Sequence, residues 1–436
     1  MAGKLFGTDG VRGVAGEFLT AGLALALGRA ATRRTGAGRP QVLVIRDTRE
    51  SGEMLEAALA AGVSSAGGDA LLGGVLPTPA APLLIRRYGF DLAAVLSASH
   101  NPYQDNGIKF FAADGYKLSD ETEVAIEREL ELTDDTPIGR VRTLRGAAED
   151  YLRELHTRFG ELDLGGVDVL LDCANGATHH VAPEIFRRLG AKVTVTAAKP
   201  DGRNINAGCG STHMRALAER VVAGSHALGF AFDGDGDRVL AVDRRGEVVD
   251  GDELLALVVL HMRDRGRLEG NGVVVTVMTN YGFHAAMERE GVSVASTSVG
   301  DRYVLEELRA RGWVLGGEQS GHIIEMGFNR TGDGIAGALL TLEALAGRDL
   351  CERDAMRKLP QRLVNVPVRD RDALGRAQGL ADAIGSAALQ LAGRGRVLVR
   401  PSGTEPLVRV MVEAPSEQEA ADVCDRLVGL VRRELG

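Results

Sequence analysis

The 436-residue sequence holds only four cysteines, Cys173, Cys209, Cys351 and Cys424, and no CxxC pair. That spacing supports neither a zinc site nor a disulfide framework and suits a reducing cytoplasm. Long apolar runs are missing as well. The longest N-terminal candidate, 19–28, falls short of the ~18 residues a spanning helix needs and runs into Arg29, Arg33 and Arg34, so neither a signal peptide nor a membrane segment is expected. A basic excess is absent too: 51 Lys and Arg face 60 Asp and Glu, a net charge of −9 that argues against nucleic-acid binding. The sequence has no GxxxxGK[ST] and no GxGxxG that follows a strand and opens a helix, so nucleotide binding has no support; without GxSxG, neither has the hydrolase use of a reactive serine. Aromatics are 4% of the chain while 57 residues are Gly, a balance that favours tight turns and close backbone approach.

What is present is ordinary globular composition, 44% hydrophobic and 25% charged, in a chain long enough for several cores. One pattern recurs three times: an apolar run, a helical stretch, a Gly turn and a second apolar run. The copies open at 42–45, 167–171 and 273–277 and re-extend at 71–76, 193–197 and 292–297. Strand, helix, strand at this spacing predicts βαβ crossovers in mostly parallel sheets. Each copy then adds an apolar strand, at 92–96, 228–232 and 314–315, that ends in a polar, Gly-rich loop. After Pro367 the pattern changes to a helix over 372–391, strands over 396–400 and 407–413, and a helix over 416–435 with Ser416 and Glu419 spaced as a capping box. The expected fold is α/β: three similar mixed or parallel α/β units, 1–150, 151–251 and 252–366, and a smaller C-terminal α+β domain, 367–436, around one central cleft.

The three loops carry the chemistry. Asp233, Asp235 and Asp237 are separated only by Gly234 and Gly236 and followed by Arg238, so three carboxylates can meet one hard cation such as Mg²⁺. A calcium EF-hand is excluded because Arg238 and Arg244 stand where Gly and Glu are required. The first loop, 97–109, offers Ser97, Ser99, His100 and Lys109; either serine can serve as nucleophile or phosphate carrier beside a metal or base. In the third, Glu318, Gln319, Ser320 and His322 match the hydroxyl and amine pattern of a sugar. Near the C-terminus, Arg400, Ser402, Gly403, Thr404 and Arg409 have the composition of a phosphate cradle. Two competing classes are an aspartyl-phosphate phosphatase built on the DxD of Asp233 and Asp235, against which Asp237 stands at the wrong residue type, and a noncatalytic sugar-phosphate binding protein.

Taken in order, FGTDGVRG (6–13), SASHNPYQDNGIK (97–109), DGDGDR (233–238), GEQSGH (317–322) and RPSGTEP (400–406) resemble the α-D-phosphohexomutase superfamily, across almost the whole chain. The resemblance implies four domains and a serine phosphate at Ser99, with Mg²⁺ held by that phosphate and by Asp233, Asp235 and Asp237. It implies transfer of the phosphoryl to a hexose phosphate, formation of a bisphosphorylated sugar, and return of the other phosphoryl to Ser99. Lys109 and His322 would be the acid–base pair, the lysine with its pKa lowered by the nearby cation. Arg12, His100, Arg238, Glu318 and Ser320 would meet the substrate, while Arg400, Ser402, Gly403, Thr404 and Arg409 would hold the nonreacting phosphate, in a domain hinged near Val366. The FGTDGVRG and GEQSGH forms resemble members acting on glucosamine 6-phosphate and glucosamine 1-phosphate for cell-wall precursors. Glucosamine 1,6-bisphosphate is then the intermediate and primer. A kinase or this bisphosphate would first phosphorylate Ser99 of a cytoplasmic enzyme, and a homodimer is compatible. Some relatives carry a histidine where VGDR (299–302) stands, so Asp301 inherits no role from them.

Overall fold

The computed structural model describes residues 5–7, 9–131, 138–402 and 406–436, and the chain divides into two compact units. The first, 1–278 with 293–353, contains three sheets. In the six-stranded sheet the order is Val11–Val14, Asp105–Ala112, Leu92–Leu96, Gln41–Arg46, Asp69–Val75, Val141–Thr143. Gln41–Arg46 runs parallel to both its neighbours, and Leu92–Leu96 turns back antiparallel through Asp105–Ala112. Val42 to Ile45 and Leu92 to Leu96 are buried throughout, as continuous apolar runs in a covered parallel sheet should be. The five-stranded sheet repeats the plan. Asp168–Asp172 is parallel to Lys192–Thr196 and Leu228–Phe232, and Leu228–Phe232 pairs antiparallel with Val239–Asp243. The four-stranded sheet repeats it again, with Gly272–Thr276 parallel to Ser293–Thr297 and Leu315–Gly317, and Leu315–Gly317 antiparallel to Ile323–Glu325.

The repetition fixes where the polar loops lie. Residues 97–104, 233–238 and 318–322 each join a parallel strand to its antiparallel partner, at the carboxyl end of the parallel strand, where open α/β sheets bind ligands. Glycine lets the layers close up on these sheets. The helices Ala21–Arg34 and Ser51–Ser65 pack backbone to backbone, and a Cβ on Gly62 would lie 2.1 Å from the Leu25 carbonyl oxygen, so only glycine fits.

The second unit, 279–292 with 354–436, is built on an antiparallel sheet, Gln361–Pro367, Leu407–Glu413, Arg396–Pro401, covered by helices Gln378–Gln390 and Glu417–Leu435. Its core joins Val408, Val410 and Val412 to Val423, Leu427 and Val431 of the last helix. Ser416 caps that helix by accepting from the Glu419 amide. The helix expected over 372–391 is shorter than its pattern suggested. Residues Arg371–Arg376 form a 3-10 turn, and the non-helical ψ of 87° at Ala377 separates it from an α-helix that begins only at Gln378. Among the described residues no helix is long and apolar enough to cross a membrane.

Candidate active site

Two serines stand two residues apart in the first loop, and the fold gives them different partners. Ser97 donates to Asp47 Oδ2 at 2.6 Å, within the same sheet. Ser99 donates to Asp233 Oδ2, also at 2.6 Å, bridging to the loop of the second sheet. Ser99 is fully buried and holds φ at +53°, a left-handed conformation a non-glycine residue keeps only where its surroundings impose it. The approach is close: a Cβ on Gly234 would lie 2.5 Å from the Ser99 carbonyl oxygen.

Asp233, Asp235 and Asp237 are buried, each presenting a carboxylate oxygen within 4.8 Å of the others'. The ways they are held differ. Asp233 accepts from Ser99 and from the Arg238 amide, at 3.2 Å. Asp235 Oδ2 accepts from Thr78 Oγ1 at 2.7 Å and from Lys109 Nζ at 2.8 Å. Asp237 Oδ2 lies 3.6 Å from His322 Nδ1. Burial and the two neighbouring aspartates push Asp233 well above the ordinary carboxyl value. For Asp237 burial opposes the charge, but His322, Lys109 and Arg238 outweigh it and keep the carboxylate ionised. Asp235 Oδ1 and Asp237 Oδ1 are buried without a hydrogen-bond partner. Two orphaned carboxylate oxygens beside a third carboxylate are a donor set that fits a hard divalent cation. The cluster can therefore hold a metal ion.

Around this centre lies a ring of cations. Arg12 pairs with Asp9, and Arg238 Nη1 lies 3.3 Å from His100 Nδ1, itself 3.4 Å from Ser99 Oγ. Burial and the guanidinium of Arg238 depress the His100 pKa, keeping the ring neutral. Lys109 departs from the sequence expectation. Burial alone would lower its pKa, but Asp235 at 2.8 Å and Asp9 at 3.0 Å raise it far above the ordinary lysine value, so the ammonium is charged rather than poised near neutrality. Lys117 bridges Asp9 and Asp301, which gives Asp301 a structural partner in place of any inherited role. His322 accepts the Gly332 amide at Nε2, 2.9 Å, so its proton sits on Nδ1 facing Asp237; burial disfavours a second proton while Asp237 and Asp301 favour one.

In the third loop Glu318 is buried and accepts from the Gly300 amide at 3.1 Å, while Ser320 is half-buried. In the second unit Arg400 and Arg409 are register partners on adjacent strands, and burial followed by the Arg409 charge lowers the Arg400 pKa. Ser402 is buried and donates its amide to Leu407 O; Gly403 and Thr404 lie outside the described residues. Asp9, Asp47, Arg49, Thr78, Lys117 and Asn206 were missed by sequence reasoning. Asp9 lies inside FGTDGVRG; Asp47, Arg49, Thr78 and Asn206 carry only a positional signal, lying in the stretches that follow the parallel strands Gln41–Arg46, Asp69–Val75 and Lys192–Thr196, and Lys117 carries no such signal.

Comparison with known proteins agrees with this architecture. Models of the phosphoglucomutase/phosphomannomutase family match in order: alpha/beta/alpha domain I over residues 3–136, domain II over 147–246, domain III over 250–363 and the C-terminal domain over 363–430. That defines a phosphohexomutase, an isomerase that moves a phosphoryl group within its substrate. Among curated relatives, the phosphoglucosamine mutase of Moorella thermoacetica is 52% identical, covering 99% of this chain and 99% of its own, and that of Desulforudis audaxviator is 53% identical, covering 98% of each. The chain belongs to the phosphoglucosamine mutases of the phosphoglucomutase/phosphomannomutase family. A phosphoglucomutase/phosphomannomutase family protein from Burkholderia thailandensis shares the fold at a TM-score of 0.83 and 24% identity, over 99% of this chain and 98% of that one. The Aspergillus fumigatus N-acetylphosphoglucosamine mutase, solved with GlcNAc-6P and magnesium, does so at 0.71 and 19%, over 98% and 95%.

Proposed function

We propose that this enzyme interconverts glucosamine 6-phosphate and glucosamine 1-phosphate by passing a phosphoryl group through Ser99. The observation that carries the reading is the 2.6 Å contact between Ser99 Oγ and Asp233, one of three buried carboxylates with orphaned oxygens beside them. In the forward direction the bond between phosphorus and Ser99 Oγ breaks and a new one forms to the C1 hydroxyl oxygen, giving glucosamine 1,6-bisphosphate. The sugar turns over, the phosphoryl on its O6 passes to Ser99 Oγ, and glucosamine 1-phosphate leaves with a free 6-hydroxyl. The hydroxyl proton lost in the first half is restored in the second, so the cycle is neutral in protons.

Asp233, Asp235, Asp237 and the serine phosphate are the proposed holders of one Mg²⁺, which when bound offsets negative charge on the transferring group. Lys109, kept charged by Asp235 and Asp9, supplies a fixed positive charge and an N–H donor to the departing oxygen, and His322 is the proposed proton carrier. Arg12, His100 and Arg238 line the cluster and bind phosphate; Glu318 and Ser320 hold sugar hydroxyls or the amine. Arg400, Ser402, Gly403, Thr404 and Arg409 form a phosphate-binding site of the second unit. The proposed domains are 1–150, 151–251, 252–366 and 367–436, in a cytoplasmic enzyme primed by the bisphosphate or a kinase.

The test is kcat/KM for the 6-phosphates of glucosamine, glucose and mannose, with Mg²⁺ and the matching bisphosphate. Preference for glucosamine 6-phosphate by orders of magnitude is expected; preference for glucose or mannose refutes the amino-sugar assignment. Ser99→Ala should abolish turnover and remove phosphate from the corresponding peptide.

A further inference from the structure

The loop that carries Ser99 is tied to a buried guanidinium whose hydrogen bonds all go to protein groups. Arg49 follows the strand Gln41–Arg46 and is 1% exposed. All of its side-chain nitrogens are engaged. Nε donates to Asp47 Oδ2 at 2.8 Å, Nη1 to the carbonyls of Pro102 and, at 2.9 Å, Asp105, and Nη2 to the carbonyls of Ser99 and Asn101, each at 2.9 Å. Four carbonyl dipoles aimed at one point repel each other unless a cation stands there. A planar fork with five N–H donors can serve them all, whereas an ammonium, with three donors on one atom, cannot.

The frame extends further. Asp47 Oδ2 also receives the Ser97 hydroxyl at 2.6 Å, and Ser97 Oγ accepts the Ser99 amide at 3.0 Å. From the second sheet's side, Asn206 Nδ2 donates to the carbonyls of Ser99 and Asn101 at 2.9 and 3.1 Å. Ser99 is therefore held at its left-handed φ of +53° from both sides, through its amide and its carbonyl, while its hydroxyl is left to Asp233.

We propose that Arg49, acting with Asp47 and Ser97, is a positioning residue for phosphoryl transfer: it fixes the backbone of residues 99–105 so that the Ser99 oxygen meets the metal-binding carboxylates in line with substrate. The proposal rests on the reading of Ser99 as phosphoryl carrier. Because the Arg49 side chain is fully buried and its nitrogens are all engaged by the protein, its loss should act on kcat and leave substrate affinity alone.

The experiment compares wild type, Arg49→Lys, Arg49→Ala and Ser97→Ala for kcat and KM on glucosamine 6-phosphate with Mg²⁺ and glucosamine 1,6-bisphosphate, following phosphate on residue 99 by peptide mass spectrometry. Arg49→Lys is expected to lose about 10- to 100-fold in kcat, the scale of a misplacement near 1 Å, with KM changed less than about two-fold. Guanidinium at non-denaturing concentration should restore part of the kcat of Arg49→Ala, and ammonium should not. Ser97→Ala, a small change that keeps the guanidinium, should show the same split with a smaller loss, and it decides the matter if the Arg49 variants do not fold. Unchanged kcat in the variants that fold, or a loss confined to KM or thermal stability, overturns the proposal. A wild-type enzyme that turns over without phosphate on Ser99 overturns the phosphoserine reading instead.

Discussion

Thr78 illustrates how a residue outside the carboxylate cluster should set its metal affinity. Its hydroxyl donates to Asp235 Oδ2 at 2.7 Å, the oxygen that also accepts from Lys109, so both protein donors sit on one side of the carboxylate and Oδ1 is left without a partner. Thr78→Val keeps the shape and removes the hydroxyl. The Thr78 amide still donates to the Asp235 carbonyl at 2.8 Å, so the loop remains docked and only the aim of the carboxylate is released. A hydrogen bond to a charged group is worth about 1.5–3 kcal/mol. If that energy orients Oδ1, its loss should weaken the cation by about 10- to 100-fold, since ~1.4 kcal/mol is tenfold, and this is the range found for groups that orient metal ligands. The assay is titration of wild type, Thr78→Val and Thr78→Ser with Mg²⁺ by calorimetry or with Mn²⁺ by electron paramagnetic resonance. The valine variant should lose affinity by that factor and recover kcat at saturating metal, while the serine variant should stay near wild type. A valine Kd within about two-fold of wild type would refute the reasoning, because Thr78 would then not orient Asp235.

Three further outcomes are expected. Asp235→Asn removes a charge from the cluster and should weaken Mn²⁺ binding measured directly, with a matching loss in kcat; full activity would take Asp235 out of the ligand set. Arg400→Ala should raise KM for glucosamine 6-phosphate strongly while Ser99 still acquires phosphate; an unchanged KM would remove Arg400 from phosphate binding. Asp333 tests the buried electrostatics away from the centre. Burial raises its pKa to about 6 against hydrogen bonds from the Ala336 amide, Tyr151 and Asn329, so the folded state keeps a proton that the unfolded state has lost. Stability should therefore fall as pH rises from about 4 to about 6, by roughly 3 kcal/mol in all, and stay flat above. Asp333→Asn cannot ionise, so its thermal midpoint should gain on wild type between pH 4.5 and pH 7. An equal difference at both values would contradict the raised pKa.

How much of this was legible depends on how local each signal is. The three repeats were readable because apolar runs, Gly turns and helical spacing are properties of adjacent residues, and the carboxyl ends of those runs marked the loops. The choice between Ser97 and Ser99 was not readable from the residues, since the two share one loop and differ only in what they reach. One meets Asp47, 50 positions away in the same sheet; the other meets Asp233, 134 positions away in the loop of another. Lys109 was misjudged for a related reason. Sequence places a cation beside it, but folding encloses it between Asp235 and Asp9, and two carboxylates at about hydrogen-bond distance reverse the expected shift. Arg49, Thr78 and Asn206 serve backbone carbonyls or the far side of a carboxylate, tasks that leave no spacing pattern in a sequence. They do share an address. Had the rule that picked out the three long loops been applied to every parallel strand, the RDTRES and PTP segments and the stretch 197–213, at the ends of Gln41–Arg46, Asp69–Val75 and Lys192–Thr196, would have been nominated with them. In such a fold, then, the groups that hold a site in place sit at the same sheet edge as the groups that react, and position there is the signal that composition conceals.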